Sequence, residues 1–191
     1  PPLLLNAICF AIGGTLGLIW TAASGGLGQL ARVPLRVYVF GTIGLFGYHA
    51  LYFSALRLAP AAEAGLIAYL WPLLIVLFSG LLPGETLRRG HILGGLLGFA
   101  GAAILISGGA GGFDAAYLPG YGLALLCALT WSSYSVLSRR VGDAPTASVA
   151  VFCLATAVLS AGLHLALEDT VWPGTPGAWA ATVALGLGPV G

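Results

Sequence analysis

The chain has 191 residues, of which 59% are hydrophobic, 7% are charged and 30 are glycine, with a formal net charge of +1. A typical soluble domain carries about 25% charged residues, so this composition cannot furnish a water-soluble surface. All seven cationic side chains are arginines spread along the chain, which leaves no basic patch to hold nucleic acid.

Taken in order, uncharged runs cover roughly residues 1–20, 37–56, 61–82 (with Glu63 near the start), 90–107, 119–138, 146–167 (with His164) and 175–191. A helix needs about 20 such residues to cross hydrocarbon, fewer where the layer is thin. Six complete spans and part of a seventh are expected, in an all-α, polytopic integral membrane bundle. Pro1 to Trp20 lacks a charged n-region and a cleavage site, so it reads as a span with neighbours upstream rather than a signal peptide. The runs 64–82 and 90–107 form a hairpin through the polar turn Pro83-Gly84-Glu85-Thr86-Leu87-Arg88-Arg89.

Arg32 and Arg36, Arg88 and Arg89, and Arg139 and Arg140 occupy alternate connections; only Arg57 falls elsewhere. Positive residues are retained on the cytoplasmic side, so the turns at 21–36, 83–90 and 139–145 are expected there and Pro1 on the outer side. Gly44-Leu-Phe-Gly47 recurs as Gly188-Pro-Val-Gly191, with Pro2 and Pro145 near the openings of the preceding spans. Arginines precede the first copy, whereas Glu168 and Asp169 precede the second. Two similar units of opposite orientation are the inverted-repeat plan of many secondary transporters.

Polar and aromatic side chains inside spans tend to face a cavity or a partner helix. Gly41, Gly44, Tyr48 and Tyr52 lie on one helical arc with His49 at its edge; Trp131, Tyr134, Ser135 and Ser138 form a second stripe. A central cavity walled by Tyr48, His49, Tyr52, Tyr69, Trp71, Trp131 and Tyr134 is expected, its ring faces holding an apolar or aromatic solute and its donors orienting the polar end. For each ring singly, core packing is the competing role. Pro72 cannot donate to the Ala68 carbonyl and clashes with it, so a kink is expected there, with an acceptor left at mid-depth for a substrate ammonium. Relief of that kink by a neighbouring serine or water is the alternative.

Glu63 suits the helix start after Pro60 and can pair with Arg57; Glu85 is expected to pair with Arg88 or Arg89. His91 and His164, with Tyr117, Tyr121 and Trp172, sit near span ends and read as interfacial. The pairs Gly13/Gly17 and Gly94/Gly98, and the series Gly41, Gly44, Gly47, let helices approach closely. Gly108 to Gly112 reads as a flexible outer linker. Cys9, Cys127 and Cys153 read as small hydrophobes. No metal-ligand cluster, nucleotide fingerprint or nucleophile elbow appears, so no cofactor, no metal and no catalytic residue are expected.

The run Ala64 to Leu82 with Pro72, then Gly84-Glu85, Arg88 and the ladder Gly94, Gly95, Gly98, Gly101, resembles the signature of the EamA-like drug/metabolite transporter superfamily. Gly120 to Arg140, with Leu129-Thr130-Trp131-Ser132 and Ser138-Arg139-Arg140, is similar to the first helix of that family's second repeat. Tyr48-His49-Ala-Leu-Tyr52-Phe53 and Tyr69-Leu-Trp71-Pro72 look most like the branch that exports aromatic amino acids. The resemblance implies ten helices in two inverted five-helix repeats. This chain would then hold helices 2 to 7 and the start of helix 8, with residues 1–112 in the first repeat and 113–191 in the second. It implies a multi-pass protein of the bacterial inner membrane, surrounded by lipid, that exports small amphipathic metabolites, with aromatic or other apolar amino acids as its solutes. A multidrug or other metabolite carrier of the same fold, a membrane-embedded enzyme and a multi-span scaffold are the alternatives. Absence of lysine and the rim positions of arginine argue against an anionic phosphate site.

Overall fold

The computed structural model describes residues 1–107, 114–142 and 144–188, and among these all regular structure is helical. The helices are α1 (Pro2–Ala23), α2 (Leu27–Leu30), α3 (Leu35–Leu58), α4 (Ala61–Ala68), α5 (Trp71–Ser79), α6 (Arg89–Ser107), α7 (Leu118–Val141), α8 (Ser148–Leu167) and α9 (Pro176–Leu187). Five stretches are long and apolar enough to cross a membrane: α1, α3, Ala61–Ser79, Ala115–Val141 and α8. The expected run 90–107 is helical as α6, 19 residues long, but it is not among these five. The glycine-rich linker expected at 108–112 and the end of the second Gly-x-x-Gly copy lie outside the described residues.

Helix starts follow local chemistry. Pro2 and Pro176 open α1 and α9, where a missing N–H costs nothing, and the Thr175 hydroxyl accepts from Ala178 N at 3.2 Å. The single kinked helix expected over 61–82 is instead two, because the Pro72 ring excludes the Ala68 carbonyl. Tyr69 N still reaches Gly65 O at 2.9 Å, Leu70 N tightens to Ile67 O at 3.1 Å, and the regular ladder restarts with Leu74 N to Leu70 O at 3.0 Å.

The chain divides into two compact units, residues 1–46 with 140–191, and residues 47–139. In the first, α1 packs on α8 and α9 around Phe10, Cys153 and Ala157. A Cβ at Gly14 would lie 2.9 Å from the Leu154 backbone nitrogen, and one at the expected Gly17 3.0 Å from Ala150 Cβ, so α1 meets α8 closely through Gly14 and Gly17. Polar atoms join these helices: Asn6 Nδ2 donates to Ser160 Oγ at 2.8 Å, and Cys9 Sγ lies 3.5 Å from Thr182 O. Such bonds are cohesive where lipid gives helices no hydrophobic reason to associate.

The second unit is built on small residues. Ala55, Ala59, Ala64 and Ala124 pack with Tyr121, and a Cβ at Gly120 would stand 2.6 Å from Ala59 Cβ and 2.8 Å from the Leu58 carbonyl carbon. Against Leu73, the residue on α6 that admits close approach is Gly95, 2.9 Å from Leu73 Cδ1 by the same construction; the expected Gly94 and Gly98 face nothing within 4 Å.

Candidate functional site: aromatic rings and a broken helix

Within the second unit, α3 and α7 bring six rings into one continuous series. Tyr48 stacks on Tyr52, one turn along α3, with centroids 6.0 Å apart and planes 10° apart, and its ring meets Trp131 of α7 at 4.9 Å. Trp131 continues to Tyr134 at 5.4 Å. His49 stands edge-on to Tyr48 at 4.8 Å, and Phe53 closes the series against both His49 and Tyr52 at 6.0 and 6.1 Å. The helical arc and stripe explain this geometry: i and i+4 on α3, i and i+3 on α7, each place two rings on one face. His49 and Phe53 are buried, whereas Tyr48, Tyr52, Trp131 and Tyr134 keep part of their surface open.

Tyr69 and Trp71 form a separate pair, centroids 6.3 Å apart, at the helix break. Tyr69 is 45% exposed. With Pro72, Leu73, Gly95, Gly98 and Phe99 it lines a hollow of about 210 Å³. Trp71 is tied toward the ring series through its backbone, since Ser132 Oγ donates to Trp71 O at 3.1 Å and shares that proton with Ala128 O at 2.6 Å. Ala68 is buried, and among the described residues its carbonyl accepts no backbone hydrogen bond, because the amide that would supply one is a proline nitrogen. The serine expected to relieve the break therefore serves a carbonyl three residues further on.

Charged residues find partners other than those expected. Glu63 accepts from the Tyr121 hydroxyl instead of pairing with Arg57, because α7 brings a buried phenol to the start of α4 while Arg57 points to solvent. Glu85 lies 3.6 Å from Arg139 rather than beside Arg88 or Arg89. Both side chains are largely exposed, so the pair contributes at most about 1 kcal/mol. Arg88 and Arg89 remain at the exposed hairpin turn. Tyr121 and His164 lie near the ends of α7 and α8, as expected, and both are buried against neighbouring helices. Ser132 and Phe53 are site residues that periodicity did not select; a hydroxyl one residue after a mid-span tryptophan was the available signal for the first.

The ring series carries phenol and indole donors in a multi-pass helical membrane protein, and the helix over Ala61–Ser79 is interrupted at a carbonyl for which no partner is found among the described residues. Residues 1–107 match the model of the EamA-like transporter family. The chain is 56% identical to a protein of Ancylobacter novellus named aromatic amino acid exporter YddG, over all of this chain and 67% of that one. A Salmonella typhimurium exporter of the same name is 28% identical over 80% of this chain and 54% of its own length. An uncharacterized transporter of Bacillus subtilis, YvbV, is 30% identical over 75% and 46%. A solved crystal structure, 56% identical, superposes with a TM-score of 0.85, covering all of this chain and 67% of that one. The chain belongs to the EamA-like transporter family, and it spans about half to two thirds of the length of these relatives.

Proposed function

We propose that the protein is an exporter of aromatic amino acids in a bacterial inner membrane, with Tyr48, His49, Tyr52, Trp131 and Tyr134 contacting the solute ring. The observation that carries this is the unbroken ring series on α3 and α7, in a chain 56% identical over its full length to a protein named as such an exporter. The Ala68 carbonyl, freed by Pro72, is the acceptor for the solute ammonium, and Tyr69 and Trp71 flank its approach. Glu63, held by Tyr121, fixes the start of α4 and so the position of that carbonyl. Alternating access by two inverted five-helix repeats, with residues 1–112 in one and 113–191 in the other, is the transport cycle this reading implies. The arginine pattern then puts the turns at 21–36, 83–90 and 139–145 in the cytoplasm.

The test is release of labelled phenylalanine from vesicles containing the full-length protein, with the released compound identified. Unaltered phenylalanine leaving faster than from empty vesicles is the expected result. If lipophilic cations leave and phenylalanine does not, the solute is misassigned and the protein is a multidrug carrier of the same family. A chemically altered product would support an enzyme instead.

A further inference from the structure

The first unit carries a groove that shares no residue with the ring series, between the start of α3 and the end of α7. It encloses about 640 Å³, and its walls include Leu35, Arg36, Val39, Ile43, Arg140 and Val141. Leu35, Val39 and Ile43 recur every fourth residue, so they form one column on α3, and they are 75%, 48% and 62% exposed. Arg36 and Arg140 both stand at the same end of that column, because α3 starts where α7 stops. A Cβ at Gly142, just past α7, would lie 3.6 Å from Val37 Cγ2 and 3.9 Å from the Arg36 guanidinium.

Local packing decides which face of α3 is left to the groove. Val37 is buried, Tyr38 stands edge-on to Phe152 of α8 at 5.9 Å, and a Cβ at Gly41 would lie 2.6 Å from that phenylalanine ring. These residues fasten one side of α3 to α8, and the column lies on the other. From Leu35 to Ile43 it runs about 12 Å, most of the roughly 15 Å of hydrocarbon in one leaflet. Among the described residues neither Arg36 nor Arg140 has an ion-pair partner, whereas Arg139 lies 3.6 Å from Glu85. Asp143, the acidic residue nearest to Arg140 in sequence, lies outside the described residues.

We propose that this groove binds a phospholipid with a net anionic head group, Arg36 and Arg140 holding the phosphate while the column of Leu35, Val39 and Ile43 receives an acyl chain. Charge complementarity selects the occupant. A guanidinium offers paired N–H donors that match phosphate oxygens, and basic pockets between transmembrane helices suit anionic head groups. A zwitterionic head group brings its own ammonium, which two arginines oppose. A free anion would satisfy the arginines but gain nothing from the apolar column. The column without arginines would be ordinary lipid-facing surface, and arginines without the column would only orient the chain. Their juxtaposition is what distinguishes one lipid from another.

The experiment is native mass spectrometry of the full-length protein released from nanodiscs of equal phosphatidylglycerol and phosphatidylcholine with identical acyl chains, counting the lipids that stay bound. A preference of about tenfold for phosphatidylglycerol is expected from two basic side chains near one head group. Arg36→Gln with Arg140→Gln should bring it close to parity, whereas Arg88→Gln with Arg89→Gln, at another turn, should leave it in place. Arg36→Lys with Arg140→Lys should lower it to about threefold, because the charge stays and the planar fork is lost. That pair carries the test if the glutamine pair fails to fold. Excess inorganic phosphate should not displace the lipid. Equal retention of the two lipids by the unaltered protein, a preference that neither pair at positions 36 and 140 lowers, or displacement by inorganic phosphate overturns the proposal. The readout is lipid retention and is independent of the solute transported.

Discussion

The two units are held together by different means, and the difference separates what a membrane helix needs for cohesion from what a solute needs for recognition. In the first, polar side chains are spent on one another: Asn6 on Ser160, and His164 on Glu168 and Thr170. In the second, alanines and glycines make the tight contacts, and the polarity resides in ring edges and in one carbonyl that the proline leaves free. Polar side chains bonded to one another across helices, as Asn6 is to Ser160, are cohesive. On the proposed function, rings with open surface are the part of this unit that meets the solute.

That contrast breaks most sharply at a glycine. Gly14→Leu should cost the first unit about 3 kcal/mol, since the new Cβ would meet the Leu154 backbone, which cannot rotate aside. Thermal unfolding in detergent measures it, with the solute preference of any folded fraction unchanged. Acid should act on the same unit. The folded pKa of Glu168 is depressed, so its stabilisation is fully present above the unfolded value near 4.5 and is lost as pH falls through the lower folded value. Glu168→Gln should remove about 2 kcal/mol at neutral pH and flatten that acid-side decline.

In the second unit the expected effects shift from stability to selectivity. Trp131→Ala deletes the ring that joins Tyr48 to Tyr134, and should weaken phenylalanine binding about tenfold, comparable to one aromatic contact. Equilibrium binding to the purified full-length protein checks it. Ser132→Ala should cost about 1 kcal/mol by removing the donor to Trp71 O. Its signature is an altered transport rate with insertion intact. Arg139→Ala, which breaks only the exposed contact to Glu85, should change stability by less than about 0.5 kcal/mol.

Much of the fold was legible because hydrocarbon imposes a simple rule: long uncharged runs become helices, and their ends fall where charge returns. The ring series was legible for a related reason, since i, i+3 and i+4 spacing fixes which side chains share a face. Partners across helices were not. Glu63 chose Tyr121 and Glu85 chose Arg139 because those contacts depend on which helices become neighbours, a matter of packing rather than periodicity. Among the expected packing glycines, Gly17 and Gly41 do stand at close contacts, whereas on α6 Gly95 replaces Gly94 and Gly98: small-xxx-small spacing marks a face, while the point of contact is set by crossing geometry. Pro72 announced a distortion, yet whether it bends a helix or divides it depends on the bonds its neighbours can re-form. Here Leu70 closed a tighter turn on Ile67 and the helix divided.

The account stands or falls on whether the rings on α3 and α7 meet the solute. Competition between tryptophan, phenylalanine, leucine and alanine for efflux of labelled phenylalanine by the full-length protein, repeated in Trp131→Ala, tests that directly. The aromatic pair should compete far better than the aliphatic pair, and the advantage should shrink in the variant. Equal competition by all four, or an aromatic advantage that Trp131→Ala leaves intact, would contradict it.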